Sequence, residues 1–489
     1  MIDRLTSDLL KHLRSKNLVL KANIKNDRII ENLTANSNQS AKTVGFICYK
    51  GVKTDLHDYI EDARKQNPPI IIFENANKKP IDDVNWILVS NARKAWSHSC
   101  SFINGLPEKH LEITGITGTN GKTSTIFILG ELFRILNIPR LTVGTLGFDL
   151  NGHITESNHT TPDPDVLYPI LLKAKESGIR HVFMEVSSHA IIQHKIDPIN
   201  FKVYGFTSFS QDHLDFHKTM TDYLEAKLKP ITRNLNNDSQ IVISSKVINE
   251  YIPNGLDMIT HNPVIKIGSN EDDEVFFSVN NMTISLRGHK KFETPLLGEY
   301  SNQNLMMSLH ICQVLTKKPI AALLDNIANI KQVPGRLEIV AKSPVVIVDY
   351  AHTPDALHNV LSTVFSNFNQ PIISILGCGG DRDQSKRPLM GQIAEKLSTH
   401  VIITNDNPRS ENPNSIARQI VGGFTNPSTS FLVELDRYEA IKKGIYLANI
   451  YQCILVIAGK GHETTQLIGD NSISFDDREV AKEILANNR

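Results

Sequence analysis

Residues Leu111 to Phe133 read LEITGITGTNGKTSTIFILGELF. The run Leu111 to Thr117 is β-rich and apolar, and Ile126, Leu129, Gly130 and Phe133 then recur at helical spacing. Strand, glycine loop, Lys-Thr and helix together make a phosphate cradle. Gly118 and Gly121 let the backbone bring its N–H groups close to phosphate oxygens, with Thr119 and Asn120 between them. The helix N-terminus adds a positive dipole end, Lys122 a point charge, and Thr123 a hydroxyl suited to Mg2+. The stretch departs from GxxxxGK[ST], because position 116 is Ile and the earlier glycine is Gly115. An ordinary glycine turn leaves Lys and Thr at the helix entrance unexplained, so we expect nucleotide phosphate binding.

Outward from this stretch, strand-like and helix-like segments alternate to both ends, predicting an α/β chain. At 489 residues there is room for about three domains. We place them at 1–108 (a small α/β unit), 109–333 (a P-loop ATPase-like parallel sheet) and 334–489 (a Rossmann-like doubly wound domain). Strands are expected at 141–144, 181–186 and 201–207 in the second region. In the third they fall at 345–348, 372–376, 401–404, 431–433 and 454–457. Such alternation implies mostly parallel sheets covered on both faces, with ligands beyond the carboxyl ends of the strands. PEKH, Pro107 to His110, reads as a linker, and 264–286 as a β-rich patch.

Lys plus Arg equals Asp plus Glu, 52 against 52, which predicts neither a nucleic acid nor a membrane surface as partner. The hydrophobic fraction of 40% and charged fraction of 21% are those of a soluble globular protein. Five scattered cysteines without a CxxC pair argue for a reducing compartment. The charged N-terminus does not resemble a signal peptide, and no apolar run reaches membrane-spanning length. A cytoplasmic chain is expected.

Polar clusters fall at predicted strand ends. Glu185 ends one strand, and Asp212, His213 and Asp215 follow the next. One carboxylate with one or two other ligands, completed by water and phosphate, suits Mg2+. Lys227, in YLEAKLK, reads on composition as a solvated helix lysine. GCGGDRDQSKRPLM (377–390), TNDNPRSE (404–411) and AGKGHE (458–463) form three loops after strands of one sheet. Their Arg, Lys and Glu side chains suit a zwitterion, with Arg409 able to grip a carboxylate. Asp349 in VDYAHTPD either accepts from ribose hydroxyls or caps a helix.

GTNGKTS, MEVSSH, SQDHLDFH with its downstream EAK, PGR, VDYAHTPD, GCGGDRD, DNPRSE and AGKGHE together resemble the Mur ligases, in order from about residue 36 to the C-terminus. DNPR, Asp406 to Arg409, looks like the signature of members that add meso-diaminopimelate. The resemblance implies an ATP-dependent ligase of peptidoglycan precursor synthesis. It would join meso-diaminopimelate to UDP-MurNAc-L-Ala-D-Glu through an acyl phosphate, acting as a monomer. Gly118 to Thr123, Asn304, Arg336 and Asp349 would bind ATP, and Thr123, Glu185 and His213 would place magnesium. Lys227 falls where the family carries a carbamylated lysine, an oxygen donor instead of a cation. Lys122, Glu185, His213 and Lys227 would be the catalytic set. Ser37, Lys53, Thr54, Thr160, Thr161, Ser187, Gln193 and Lys195 would contact the muramoyl dipeptide. Arg387, Asp406, Asn407, Pro408, Arg409, Gly459 and Glu463 would hold diaminopimelate. The chain departs from the family at Asn36-Ser37-Asn38 in place of DSR, at Lys195 in place of Arg, and at Ser301 in place of Asn.

The implied chemistry is mainly positioning and electrostatics around the transferred phosphoryl group. An acyl phosphate hydrolyses readily, so the third domain is expected to close over the second. Other readings are the same chemistry with L-lysine or another amino acid, a folylpolyglutamate synthase-like ligase, a kinase or simple ATPase, and a non-enzymatic nucleotide-dependent module.

Overall fold

A computed structural model of the chain describes residues 4–51, 54–80, 83–157, 159–252, 255–268, 275–278, 283–286, 291–426 and 428–487. By its internal contacts the chain divides into two compact units, Met1–Gly268 and Ser269–Arg489.

The first unit holds two sheets. The smaller is built from β1 (Val19–Asn23), β2 (Asn32–Thr34), β3 (Val44–Cys48), β4 (Ile71–Phe73) and β5 (Trp86–Val89), in the order β1-β5-β4-β3-β2. All its pairs are parallel except β1 with β5. The segment expected as a linker is a 3-10 turn, Pro107–His110, whose Glu108 is buried and accepts from the Ser101 hydroxyl at 2.7 Å. The turn leads into β6 (Glu112–Thr117), the strand before the glycine loop.

With β6 run β7 (Arg140–Gly144), β8 (Gly147–Leu150), β9 (His153–Thr155), β10 (His181–Glu185), β11 (Phe201–Phe206), β12 (Leu235–Ser244) and β13 (Val264–Ile267). Among the described residues their order is β13-β12-β11-β6-β10-β7-β8-β9. The pairs from β13 to β7 are parallel, as the alternation predicted. β8 and β9 add an antiparallel edge that the sequence reading did not anticipate. Because β6 is central, residues 113–117 are buried on both faces and the run is apolar without alternation. The helix Lys122–Ile135 buries Ile126, Leu129, Gly130 and Phe133, the face read from spacing. One apolar cluster runs through both sheets, from Leu9, Leu33 and Trp96 to Leu167, Tyr168 and Tyr204.

The second unit carries β14 (Val275–Ser278), β15 (Thr283–Leu286) and β16 (Lys291–Glu293), a small antiparallel sheet. The patch expected over 264–286 is therefore divided, since β13 belongs to the central sheet. Residues 269–274 and 279–282 lie outside the described residues. The helix expected over 304–315 spans Glu299–Thr316.

The main sheet of this unit comprises β17 (Glu338–Lys342), β18 (Val345–Asp349), β19 (Ile372–Leu376), β20 (His400–Ile403), β21 (Ser430–Val433) and β22 (Ile454–Ala458). Its order is β17-β18-β22-β19-β20-β21, parallel except at β17, a second antiparallel edge that was not foreseen. Helices 354–368, 386–397 and 413–421 cover one face, and 437–451 and 477–487 the other, each over its own apolar cluster. This is the doubly wound arrangement expected. A hairpin of β23 (Thr465–Ile468) and β24 (Asn471–Ser474) follows β22.

Candidate active site

The glycine loop leaves the carboxyl end of β6, and the two neighbours of β6 deliver the other polar clusters. Glu185 ends β10, and Thr207 to His213 follow β11. The two clusters are not on adjacent strands, because β6 lies between them, and that places both beside the cradle. Gly118 has φ +148, and a Cβ there would lie 1.9 Å from the Thr207 hydroxyl oxygen. Gly118→Ala is expected to cost on the order of 1–3 kcal/mol in backbone strain and to weaken nucleotide binding, measured by calorimetry with ADP.

Thr207 and Ser208 donate hydroxyl hydrogen bonds to the Asn120 carbonyl, and the Asn120 N–H donates back to the Ser208 hydroxyl at 3.0 Å. The Thr119 hydroxyl lies 3.3 Å from the Tyr223 hydroxyl. Lys122 opens the helix and donates to the Gly118 and Thr119 carbonyls, both at 2.9 Å, so its ammonium lies over the loop.

The Thr123 hydroxyl donates to Glu185 Oε2 at 3.0 Å, and the Thr145 N–H donates to Oε1 at 2.7 Å. Lys227 is not the solvated lysine that composition suggested. Its helix, Met220–Arg233, buries Tyr223, Ala226, Lys227, Pro230 and Ile231 along one stripe, and Lys227 is 1% exposed. Nζ donates to the Gly118 carbonyl at 2.8 Å and lies 4.6 Å from the Tyr223 ring centroid. Burial, reinforced by the Lys122 charge, drives its pKa well below the ordinary lysine value, which favours the free amine.

His213 begins the short helix after β11 with φ +55, and its ring meets that of His189 at 4.8 Å. Desolvation pushes its imidazole down to about 4; Asp212 opposes the shift, while His189, Lys122 and Lys227 reinforce it. The Asp215 side chain lies outside the described residues. Thr123 and Glu185 offer a hydroxyl and a carboxylate beside the loop, with the His213 imidazole and the Lys227 amine as nitrogen groups. The two oxygen groups fit Mg2+ completed by phosphate oxygens and water.

Next to this centre, the Thr161 hydroxyl donates to the Glu185 carbonyl at 2.8 Å and lies 3.2 Å from the Ser187 hydroxyl. Thr160 lies 3.1 Å from Thr145, hydroxyl to hydroxyl. Lys195 pairs with Asp163 at 2.8 Å and donates to the Thr161 carbonyl. Gln193 closes the helix Ser188–Ile192. The smaller sheet reaches this turn through Asn32, whose amide donates to the Asp165 carbonyl at 3.3 Å. Ser37 stands in a 3-10 turn after β2, with the Asn36 side chain accepting from the Asn38 N–H, and Thr54 is exposed. Lys53 lies outside the described residues.

On the second unit the three expected loops do come together. Asn407 donates its amide to Glu463 at 2.8 Å and accepts from the Leu467 N–H at 2.9 Å. Pro408 precedes Arg409, whose φ is +51 and whose guanidinium donates to the Gly380 carbonyl at 2.9 Å. Lys460 is buried and bonded to Glu463 at 3.2 Å. Gly459 has φ +119, and a Cβ there would come 2.4 Å from Asp406 Oδ2. That oxygen is buried and has no hydrogen-bond partner among the described residues.

Arg387 is fully buried, gripped by both oxygens of Glu411 at 2.8 and 2.9 Å and donating to the Gly379 carbonyl. It therefore fixes the GCGG loop from beneath. Asp349 is not a helix cap, because Thr353 caps the helix 354–368. The Asp349 carboxylate accepts from the Leu337 N–H at 2.7 Å, and burial raises its pKa to about 6 against the pull of Arg336. Arg336 lies over the Tyr350 ring at 4.5 Å. Asn304 is half-buried on the helix 299–316 of this unit.

The sequence reading missed Thr207, Ser208 and Tyr223, which support the cradle, and Arg437 and Asp477, which form a fully buried ion pair at 2.7 Å. Only helical spacing, Tyr223 to Lys227 at i, i+4, offered a signal for the tyrosine. Arg437 carried none, since it heads an ordinary helix.

Two family models match the chain. The Mur ligase middle domain covers residues 116–312, and the Mur ligase, glutamate ligase domain covers 335–461. The UDP-N-acetylmuramoyl-L-alanyl-D-glutamate--2,6-diaminopimelate ligase of Aquifex aeolicus is 36% identical over 93% of this chain and 94% of its own length. The ligase of the same name from Clostridium tetani is 36% identical over 96% of each. A solved structure of a UDP-N-acetylmuramoyl-L-alanyl-D-glutamate--2,6-diaminopimelate ligase is similar with a TM-score of 0.62 and 27% identity, covering 94% of this chain and 95% of that one.

Proposed function

The chain belongs to the Mur ligase family, and from that premise we propose that it joins meso-diaminopimelate to UDP-MurNAc-L-Ala-D-Glu at the expense of ATP, in peptidoglycan precursor synthesis. Full-length relatives with that name support the substrate assignment. The observation that carries the chemistry is the convergence of Lys122, Thr123, Glu185 and Lys227 on the loop after β6. A cradle of this kind binds the ATP phosphates through residues 118–123. We assign residues 1–108 to the UDP sugar, 109–333 to ATP and the dipeptide, and 334–489 to the amino acid.

The substrate's D-glutamate carboxylate attacks the γ-phosphorus, giving an acyl phosphate and ADP, and the amine of diaminopimelate then displaces phosphate. Lys122 neutralises charge on the transferred phosphoryl group. Thr123, Glu185, His213 and a carbamylated Lys227 would hold Mg2+, which when bound supplies further charge neutralisation at the phosphates. Thr160, Thr161, Ser187, Gln193 and Lys195, with Ser37, Lys53 and Thr54, orient the dipeptide substrate. Asn304, Arg336 and Asp349 contact the nucleotide. Asp406, Asn407, Arg409, Gly459 and Glu463 orient diaminopimelate, Pro408 shapes their turn, and Arg387 braces it. Among the described residues no helix is long and apolar enough to cross a membrane. All five cysteines are free and buried, which supports the cytoplasmic assignment. We take the chain as a monomer.

Phosphate release with ATP, Mg2+ and UDP-MurNAc-L-Ala-D-Glu, measured with meso-diaminopimelate, L-lysine and L-ornithine in turn, tests the reading. Turnover with diaminopimelate alone is expected, and turnover with lysine instead would keep the ligase and overturn the amino-acid assignment. Arg409→Met should raise the KM for diaminopimelate about 10- to 100-fold, the scale of one charge-assisted hydrogen bond of about 1.5–3 kcal/mol. The KM for ATP should be unchanged.

A further inference from the structure

Arg437 stands at the start of the helix Arg437–Tyr451, with Asp436 capping it, and its guanidinium is buried under the carboxyl end of the sheet. Nη1 donates to the Asn405 carbonyl at 3.0 Å and Nη2 to the Ala458 carbonyl at 3.1 Å. Nε and Nη2 donate to the two Asp477 oxygens, both at 2.7 Å. Asn405 is the residue before Asp406-Asn407-Pro408-Arg409, and Ala458 the residue before Gly459. Asn405 follows β20 and Ala458 ends β22, two strands that share no ladder because β19 lies between them. The fork of one arginine therefore reaches across β19 and fixes where two loops leave the sheet. At that junction the Gly459 Cα faces the buried, unpartnered Asp406 Oδ2. Gln466 also donates to the Asp406 carbonyl, and farther along Asn407 donates to Glu463 and accepts from the Leu467 N–H, while the Arg409 backbone pairs with Leu467 and Gly469.

We propose that Arg437, oriented by Asp477, is a positioning residue for the amine substrate, setting the spacing of the DNPR and AGKGHE loops on which its two ends are gripped. This rests on the ligase reading above. A planar fork can hold two carbonyls and a carboxylate at fixed angles, whereas a lysine supplies charge without that geometry.

The test is Arg437→Lys, with the charge-neutral double variant Arg437→Gln/Asp477→Asn as a second should the first fold poorly, each assayed as full-length protein below its melting temperature. Wild-type turnover with diaminopimelate first establishes the ligase reading, and its absence would remove that reading instead of this proposal. The expected result is a 10-fold or greater rise in KM for diaminopimelate. KM for ATP and for UDP-MurNAc-L-Ala-D-Glu should stay within twofold, as should acyl phosphate trapped with hydroxylamine in the absence of amine. A loss of kcat with an unchanged amine KM, or an equal rise in all three KM values, would mean that Arg437 serves stability alone and would overturn the proposal.

Discussion

Lys122→Met should lower kcat by about 10²–10³. In the structure the ammonium donates to the loop carbonyls of Gly118 and Thr119, both at 2.9 Å. Thr207 and Ser208 also tie the loop at Asn120, so it keeps other supports when Lys122 is replaced. What methionine removes is a positive charge where negative charge shifts during phosphoryl transfer. Deleting one such preorganised group costs about 2.7–4 kcal/mol of transition-state stabilisation, or 10²–10³ in kcat. Single-turnover ADP formation measures this directly. A loss below tenfold would remove Lys122 from the chemistry.

Lys227→Met should abolish activity to a similar degree, by about 10²–10³, and yet not lower stability. The ammonium is disfavoured by burial and by Lys122, so the folded-state pKa lies well below the unfolded value. Between the two values the unfolded chain holds a proton that the folded chain lacks, so folding loses stability there as pH falls. Neutral pH lies below the unfolded lysine pKa, and an apolar replacement of similar length removes that cost. The same depressed pKa leaves an uncharged amine able to add carbon dioxide. Wild-type turnover should therefore fall when bicarbonate is stripped from the assay and recover when it is restored. If turnover is indifferent to bicarbonate, the carbamate assignment fails while the ligase reading stands.

Much of the architecture was legible because the central parallel strands are buried on both faces and read as short apolar runs. Ile113 to Thr117, Val182 to Glu185 and Ile372 to Leu376 are examples. The antiparallel edges were not legible. β8, β9 and β17 are short and partly or wholly exposed, so they lack both the apolar run and a clean alternation. The chemistry of the loops was visible in their residue types, whereas their supports were not. Arg437 and Asp477 are 40 residues apart, and nothing local distinguishes them from a helix-start arginine and aspartate.

Local chemistry along the chain is enough to single out the Gly-Lys-Thr loop at 118–123, three α/β regions and three polar loops after strands of one sheet. Tertiary packing alone decided that β6 separates β10 from β11 and so sets Glu185 and His213 on either side of the cradle. It also decided that Lys227 is a buried amine and that Arg387 and Arg437 work from beneath their loops. Strand order and burial depend on which distant segments exclude water together, and no window of neighbouring residues carries that information.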